Sequence, residues 1–298
     1  MYFHIDFNMG NIPKNSFSVL ALILLSSFMQ NKREVPLRID PYPDFSSKYV
    51  KSRNIEVMLP PGYNENQSYD VIYMHDGQNV FNPETAYAGD AWEVDKAMRI
   101  LIEENKIRPA IVVAIWNTPL RMNEYMPAQP AEESRRRAIA EGWEDELLSD
   151  NYLKFIVSEL KPFIDSIYPT LQRRENTFIM GSSMGGLISI YALSEYPNVF
   201  GGAACISTHW PALDGVFLDY VKNNLPQPEN HKVYFDHGTE TQDVQYETFQ
   251  QKVDEMIENK GFTRGKNWLT LKFDGADHSE KAWQERVHLP LMFFLGKK

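Results

Sequence analysis

The segment that most constrains this chain is the sequence Gly-Ser-Ser-Met-Gly-Gly at residues 181–186. It follows a short apolar run at residues 177–180, which predicts a buried strand, and it precedes an apolar run at residues 187–193, which predicts a packed helix. A strand, a Gly-x-Ser-x-Gly turn and a helix together form a sharp turn that exposes a nucleophilic serine. Because the turn needs small residues two before and two after that serine, its register selects Ser183 and makes Ser182 a bystander.

A serine of this kind needs a base, since its hydroxyl is a weak nucleophile until a histidine, oriented by a carboxylate, removes the proton. The chain order in such sites is serine, acid, histidine. His278 is the predicted base, because it lies between a strand-like run at residues 268–273 and a helical run that begins at Ser279. His237, at the end of another predicted strand, is the alternative base.

The acid is expected from the loop at residues 237–243. Asp243 is the favoured acid, because its place late in the loop gives its side chain reach toward His278. Glu240 is the alternative acid. Asp236 lies at the strand end, where it is expected to hold the turn together. An ordinary helix-capping role for Asp243 is also consistent with its position.

Two backbone N–H donors are needed to stabilise the negative charge that develops on a substrate oxygen. One is expected from Met184, the residue after the serine. The other is expected from Gln78, because Gly77 permits a tight turn after the strand-like run at residues 69–74.

Predicted strands and helices alternate from about residue 54 onward. The strands are expected at residues 55–59, 71–75, 110–116, 177–180, 202–207, 232–236 and 268–273, and the helices at 91–105, 150–168, 187–193, 244–259 and 279–294. The first two strands are expected to form a hairpin. The alternation predicts an α/β fold with a mostly parallel central sheet and helices on both faces. The long polar stretch at residues 117–146 is typical of a lid or substrate loop.

Four segments resemble the esterase-D-like branch of the α/β-hydrolases, which includes enterobactin esterases, S-formylglutathione hydrolases, mycolyltransferases, and feruloyl or acetyl xylan esterases. The segments are residues 71–79, 181–186, 234–240 and 275–280, within a resemblance that runs from about residue 54 to about residue 295. It implies the α/β-hydrolase fold and a triad of serine, loop carboxylate and histidine. The serine and histidine carry over to Ser183 and His278, whereas the acid loop matches no single family pattern.

The resemblance implies a serine carboxylic-ester hydrolase that works through an acyl-enzyme. Within this class we expect acyl esters of carbohydrate or of another bulky polar substrate. Aromatic rings near strand ends favour such substrates, because they stack on sugars or aryl acyl groups; they are Trp92, Trp116, His209 and Trp210. A siderophore esterase or an acyltransferase on the same site is the alternative. A peptidase or a binding protein without turnover is a more distant one.

No metal or other cofactor is expected, because a serine mechanism needs none and no cluster with metal-ligand spacing occurs. His75 and Asp76 suggest a metal or acid–base site, but no second cluster of ligands at metal spacing accompanies them. The net charge of −10 disfavours nucleic acid and anionic membranes as partners. The single cysteine, Cys205, excludes an internal disulfide and is expected to be buried. The oligomeric state stays open.

The amino-terminal region carries an apolar run at residues 17–29 after Lys14. This length suits the core of a signal peptide and is short for a transmembrane helix. We therefore expect export to the periplasm or the medium, with a cytoplasmic location as the alternative. The predicted organisation is a signal-like or flexible segment at residues 1–30 and a single catalytic domain at residues 31–298.

Overall fold

Eight strands form one sheet in the computed structural model, which describes residues 37–142 and 146–297. The strands are β1 (Arg38–Phe45), β2 (Arg53–Leu59), β3 (Asp70–Met74), β4 (Ala110–Ile115), β5 (Thr177–Ser182), β6 (Gly202–Ile206), β7 (Lys232–His237) and β8 (Trp268–Lys272). Their order is β1-β2-β4-β3-β5-β6-β7-β8. Strands β3 to β8 are parallel to one another, and only the pairings of β2 with β1 and β4 are antiparallel. The predicted mostly parallel sheet is confirmed.

The predicted hairpin between the first two strands is wrong. Strand β2 pairs with β1 and β4, while β3 lies between β4 and β5. All five residues of β3 are buried, which is the burial expected of a central parallel strand covered on both faces. The true partner, β1, contains Pro41 and Pro43, which obscure a strand in the sequence but are tolerated in a strand at the sheet edge.

The helices cover both faces of the sheet, as predicted. Their bounds are α1 (Val94–Glu103), α2 (Arg121–Tyr125), α3 (Ala131–Ala140), α4 (Ser149–Phe155), α5 (Lys161–Ile167), α6 (Met184–Glu195), α7 (Phe217–Asn224), α8 (Tyr246–Asn259), α9 (Glu280–Arg286) and α10 (His288–Leu295), with a π turn at Ile156–Leu160. Helices α4 to α8 contribute to one hydrophobic cluster. Helices α1, α9 and α10 contribute to a second cluster.

Alternating strand residues divide between these two clusters, because successive side chains of a strand point to opposite faces. In β4, Ile111 and Val113 belong to the first cluster, whereas Val112 and Ala114 belong to the second. Cys205 lies in the first cluster and is buried, as expected. Because β3, β5, β6 and β7 are parallel, their carboxyl ends meet at one edge of the sheet, and the loops that follow these strands lie together there.

The predicted signal-like segment at residues 1–30 lies outside the described residues, so it and the boundary drawn after it stay predictions. Among the described residues, no helix combines the length and the apolar character needed to cross a bilayer.

Candidate active site

Ser183 occupies a strained turn between β5 and α6. Its backbone has φ 57° and ψ −121°, a conformation that non-glycine residues adopt only when the surrounding structure enforces it. A methyl group on Gly181 would lie 2.8 Å from the carbonyl oxygen of Gly185, and one on Gly186 would lie 2.7 Å from Oγ1 of Thr208. The glycines are therefore required for the turn to close. Ser182, by contrast, is the last residue of β5 and pairs with Ile206.

His278 lies against Asp243. Its Nδ1 atom is 2.6 Å from Oδ1 of Asp243. Oδ2 of the same carboxylate accepts hydrogen bonds from Oγ of Ser207 and from the backbone N–H of Gly238, each at 2.6 Å. Burial alone would raise the pKa of Asp243, but these three hydrogen bonds outweigh it and lower that pKa. Asp243 is therefore an anion at neutral pH, and His278 is its direct partner.

The other predicted acids lie elsewhere. Glu240 has an exposed side chain, and its backbone N–H donates to the carbonyl of Ala276 at 3.0 Å. Asp236 is fully buried and accepts from Nε of Arg286 at 3.1 Å and from the hydroxyl of Tyr234 at 2.9 Å. The geometry therefore places Asp243, rather than Glu240 or Asp236, next to the predicted base.

The alternative base, His237, is buried at the end of β7. Its Nδ1 atom is 2.8 Å from the carbonyl oxygen of its neighbour Gly238. A cleft opens at the carboxyl edge of the sheet; His278 lines this cleft, and His237 does not.

A cleft of about 780 Å³ opens at this edge and brings the predicted residues together. Its walls include Ser183, His278, Gln78, Met184 and His209. The remaining lining residues are Asp76, Asn79, Tyr87, Asn117, Thr118, Pro119, Arg121, Met122, Ser182, Gln242, Glu280 and Trp283. The volume suits a ligand of drug-like or larger size.

The two predicted oxyanion donors, Gln78 and Met184, each lie at the start of a helical turn, where the first N–H groups have no intrahelical acceptor. Gln78 belongs to a single 3₁₀ turn, Gly77–Asn79. A methyl group on Gly77 would lie 2.7 Å from the backbone of β4, so this turn packs directly onto the neighbouring strand. Both residues line the same cleft as Ser183.

A partly buried ion pair supports the turn that carries Gln78. Arg121 donates to both carboxylate oxygens of Asp76, with Nε at 2.7 Å and Nη2 at 2.8 Å, and Asn117 donates to Oδ1 at 2.6 Å. Burial raises the pKa of Asp76, but Arg121 and Asn117 more than reverse this and hold it below its usual value. Asp76 is thereby occupied as a support for the turn, and the described residues contain no group of histidine, cysteine and carboxylate side chains arranged for a metal.

His75, which precedes this turn, is buried, and its Nδ1 atom is 2.8 Å from the hydroxyl of Tyr152. Burial, the largest cause, lowers the pKa of His75 to about 3. In the unfolded chain a histidine titrates near 6.5. Between these two values the unfolded chain binds a proton that the folded protein does not, so the free energy of unfolding falls as the pH is lowered.

We therefore expect His75→Asn to flatten the acid side of the stability curve. Between pH 6.5 and pH 5 the wild type should lose about 1.6 kcal/mol of unfolding free energy more than the variant. Urea unfolding at a series of pH values measures this difference. Parallel stability curves for the two proteins would contradict the assignment of His75 as a buried neutral histidine.

The residues predicted to bind substrate fall into two groups. His209 lines the cleft; its Nδ1 is 2.6 Å from the hydroxyl of Tyr246, and its backbone N–H donates to the carbonyl of Ser183 at 3.1 Å. Trp116 is half-buried, is not among the residues that line the cleft, and donates from Nε1 to Oε2 of Glu56 at 3.0 Å.

Trp92 and Trp210 require correction, because both are core residues. Trp92 is 4% exposed and packs against Trp283 with ring centroids 5.6 Å apart. Trp210 is 1% exposed and donates from Nε1 to Gln250 at 2.9 Å. Large apolar rings near strand ends gain more from burial in the core than from exposure at a rim.

Sequence reasoning missed several cleft residues. Arg121 and Asn117 lie in the polar stretch after β4, and Glu280 and Trp283 follow His278 within five residues. Each lies in a segment that follows a parallel strand, which is the signal that could have singled them out. Ser207 follows β6 in the same way and contacts Asp243 rather than the cleft.

Comparison with known proteins gives concordant matches. A family model named Esterase, with the description "Putative esterase", matches residues 46–291. The uncharacterized protein YbbA of Bacillus subtilis is 24% identical over 256 residues, which cover 83% of this chain and 94% of YbbA.

Solved structures of esterases share the fold. The enterobactin esterase FES from Shigella flexneri matches with a TM-score of 0.64 at 18% identity, over 88% of this chain and 59% of that chain. The CE1 ferulic acid esterase from Anaeromyces mucronatus matches with a TM-score of 0.58 at 20% identity, over 88% of this chain and 90% of that chain. This chain thus corresponds to little more than half of the enterobactin esterase. The predicted α/β-hydrolase fold is confirmed.

Proposed function

The chain belongs to the Esterase family of carboxylic-ester hydrolases, and from this premise we propose that it is a serine esterase that works through an acyl-enzyme. In this proposal Ser183 is the nucleophile, His278 the general base and Asp243 the orienting acid. The amides of Gln78 and Met184 hold the oxyanion. One observation carries the proposal: the 2.6 Å contact between His278 and Asp243 lies at the cleft that also exposes Ser183.

The reaction steps follow from which atoms of the triad donate hydrogen bonds and which accept them. Asp243, as an anion, accepts the Nδ1 proton of His278, which leaves the lone pair of Nε2 free to take the proton of Ser183. The serine oxygen then attacks the ester carbonyl, and the imidazolium that forms is stabilised by Asp243. Each oxyanion donor is worth roughly 3 kcal/mol in comparable sites. The imidazolium gives its proton to the departing alcohol, and a water molecule cleaves the acyl-enzyme by the same steps in reverse.

The cleft supports a bulky, polar substrate. His209 and Arg121 offer polar contacts on its walls, and Trp283 and Tyr87 offer aromatic surface. The pKa of His209 is lowered, chiefly by burial. The ring of His209 is therefore uncharged at neutral pH and serves as a hydrogen-bond partner rather than as a cation. We favour acyl esters of carbohydrate or a comparable polar alcohol as substrates.

A siderophore esterase is the second candidate. Its support is the likeness in fold to the enterobactin esterase FES, while the likeness to a ferulic acid esterase supports the first candidate equally. An acyltransferase would use the same residues and differ in the acceptor that replaces water. Export of the enzyme, expected from the amino-terminal sequence, is part of the proposal.

A fluorophosphonate probe and an ester panel test the proposal together. We expect the probe to label the full-length protein once, on Ser183, and we expect this labelling to abolish hydrolysis. The panel should contain acetylated and feruloylated sugars, a catecholate trilactone and simple aryl esters, each assayed for kcat/KM with and without a chelator. Labelling at another residue, or hydrolysis that a chelator stops and a divalent ion restores, would contradict the proposed mechanism.

A further inference from the structure

Ser207 lies directly behind Asp243 in an uncommon backbone conformation. It follows the carboxyl end of β6, is fully buried, and has φ 40°, in the left-handed region that favours glycine. Its backbone N–H donates to the carbonyl of Asp236 at 2.8 Å. Holding a non-glycine residue in this region strains the backbone. The strain at a buried serine indicates that its side chain is needed at this position.

The hydrogen-bond partners of Ser207 determine where its hydroxyl proton is donated. Its Oγ atom accepts from Nε1 of Trp283 at 3.1 Å and from Nη2 of Arg286 at 2.8 Å. An indole N–H and a guanidinium are donors only, and a hydroxyl oxygen has two lone pairs. Both lone pairs are therefore filled. The Ser207 proton must point to its third partner, Oδ2 of Asp243, at 2.6 Å.

This direction fixes the protonation of the two residues beyond it. Oδ2 of Asp243 receives the Ser207 hydroxyl and the Gly238 amide, so neither partner is able to accept a proton from the carboxyl group. Asp243 is held as an anion with Oδ1 toward His278. Nδ1 of His278 must then be the donor in the 2.6 Å contact, and the lone pair of Nε2 is left for the cleft.

We propose that Ser207 is a positioning residue that acts through Asp243: its hydroxyl fixes the orientation of the carboxylate, and thereby sets the tautomer and the proton affinity of His278. The catalytic consequence rests on the proposed function, whereas the effect on His278 is a property of the free protein. Helix α9, which begins two residues after His278, carries both donors that orient Ser207. Arg286 also pairs with Asp236 at 3.1 Å, so the cation behind Ser207 is itself neutralised and held in place.

The sign of the effect follows from the charge on Asp243. The Ser207 hydrogen bond draws negative charge away from the carboxylate, so losing it should make His278 bind its proton more strongly. The other charged or titratable groups around the pair are Glu280, His209 and Tyr246 near His278, and Asp236 and Arg286 behind Ser207. Of these groups, only Arg286 loses a partner when Ser207 is substituted, and it keeps its ion pair with Asp236.

The test compares Ser207→Ala and Ser207→Gly with the wild type in the full chain. Glycine accepts the left-handed backbone without strain, so the second variant removes the hydroxyl even if alanine impairs folding. We expect the NMR titration midpoint of the His278 ring to rise by about half a pH unit in both variants, because the carboxylate of Asp243 loses one of its hydrogen-bond donors and part of this effect reaches His278. With any ester that the enzyme hydrolyses, kcat should fall about tenfold or more while KM is retained.

Thr177→Val is the matched control. It removes a buried hydroxyl at the opposite end of β5, where Oγ1 donates to the carbonyl of Arg173 at 3.2 Å, and should leave the His278 midpoint unchanged. An unchanged midpoint in both Ser207 variants would overturn the proposal, whatever happens to activity. If the wild type hydrolyses no ester, the NMR titration still tests Ser207, so failure of this inference is distinguishable from failure of the proposed function.

Discussion

Ser183→Ala is expected to abolish ester hydrolysis and covalent labelling by a fluorophosphonate while leaving the fold intact. The side chain that is lost is a small one beside the cleft, and alanine places the same Cβ on the strained backbone of the turn. Loss of the nucleophile costs about 10⁶-fold in kcat in a well-studied serine hydrolase, and we expect a loss of that order here. Initial rates on the best ester of the panel, with urea unfolding as the check on stability, measure the two effects.

Ser182→Ala is the matched control for this prediction. Ser182 also borders the cleft, but it is the last residue of β5 and follows the strand in register with Ile206. Its removal should change kcat/KM by less than about tenfold. Full activity in Ser183→Ala together with loss of activity in Ser182→Ala would show that the register of the turn has been misassigned.

Asp243→Asn is expected to lower kcat by about 10⁴-fold, the loss measured for the same change in a well-studied triad. The structure gives the reason. Ser207 and Gly238 both donate to Oδ2, so the amide oxygen of the asparagine should occupy that position. Its NH₂ group then faces Nδ1 of His278, which must become an acceptor. The proton of the imidazole moves to Nε2, and the base that Ser183 needs is lost.

Glu240→Gln is the matched comparison, because it removes a charge from the same loop. The Glu240 side chain is exposed, whereas Asp243 is in contact with His278, so the change should have little effect on kcat. A large loss in Glu240→Gln alone would reassign the acid. Small losses in both variants would indicate that His278 works without a carboxylate partner.

The sequence identified those parts of the site whose geometry depends on residues close together along the chain. The elbow around Ser183 was recognisable from one short segment. A side chain on Gly181 would clash with the backbone of Gly185, and one on Gly186 would clash with Thr208. The mostly parallel α/β sheet was predictable for a similar reason, because alternation of apolar strands and helices is a local pattern. The α/β-hydrolase fold itself was implied by the family resemblance. The wrong hairpin shows the limit of that reasoning: strand pairing depends on which strands lie beside each other, not on which are consecutive.

The tertiary structure decided which residues are buried and which of them lie in contact with one another. Sequence placed Asp243 and Glu240 in the same loop, but only packing shows that one is buried against His278, 35 positions away, while the other faces solvent. Likewise, the sequence does not distinguish a buried tryptophan near a strand end from an exposed one. Only the packing in the folded protein shows that Trp92 and Trp210 are buried. Ser207 carried no motif at all; its role depends on Trp283 and Arg286, 76 and 79 residues away along the chain. Backbone geometry at a turn is set by the residue types within it, whereas burial and hydrogen-bond partners are set by segments that only folding brings together.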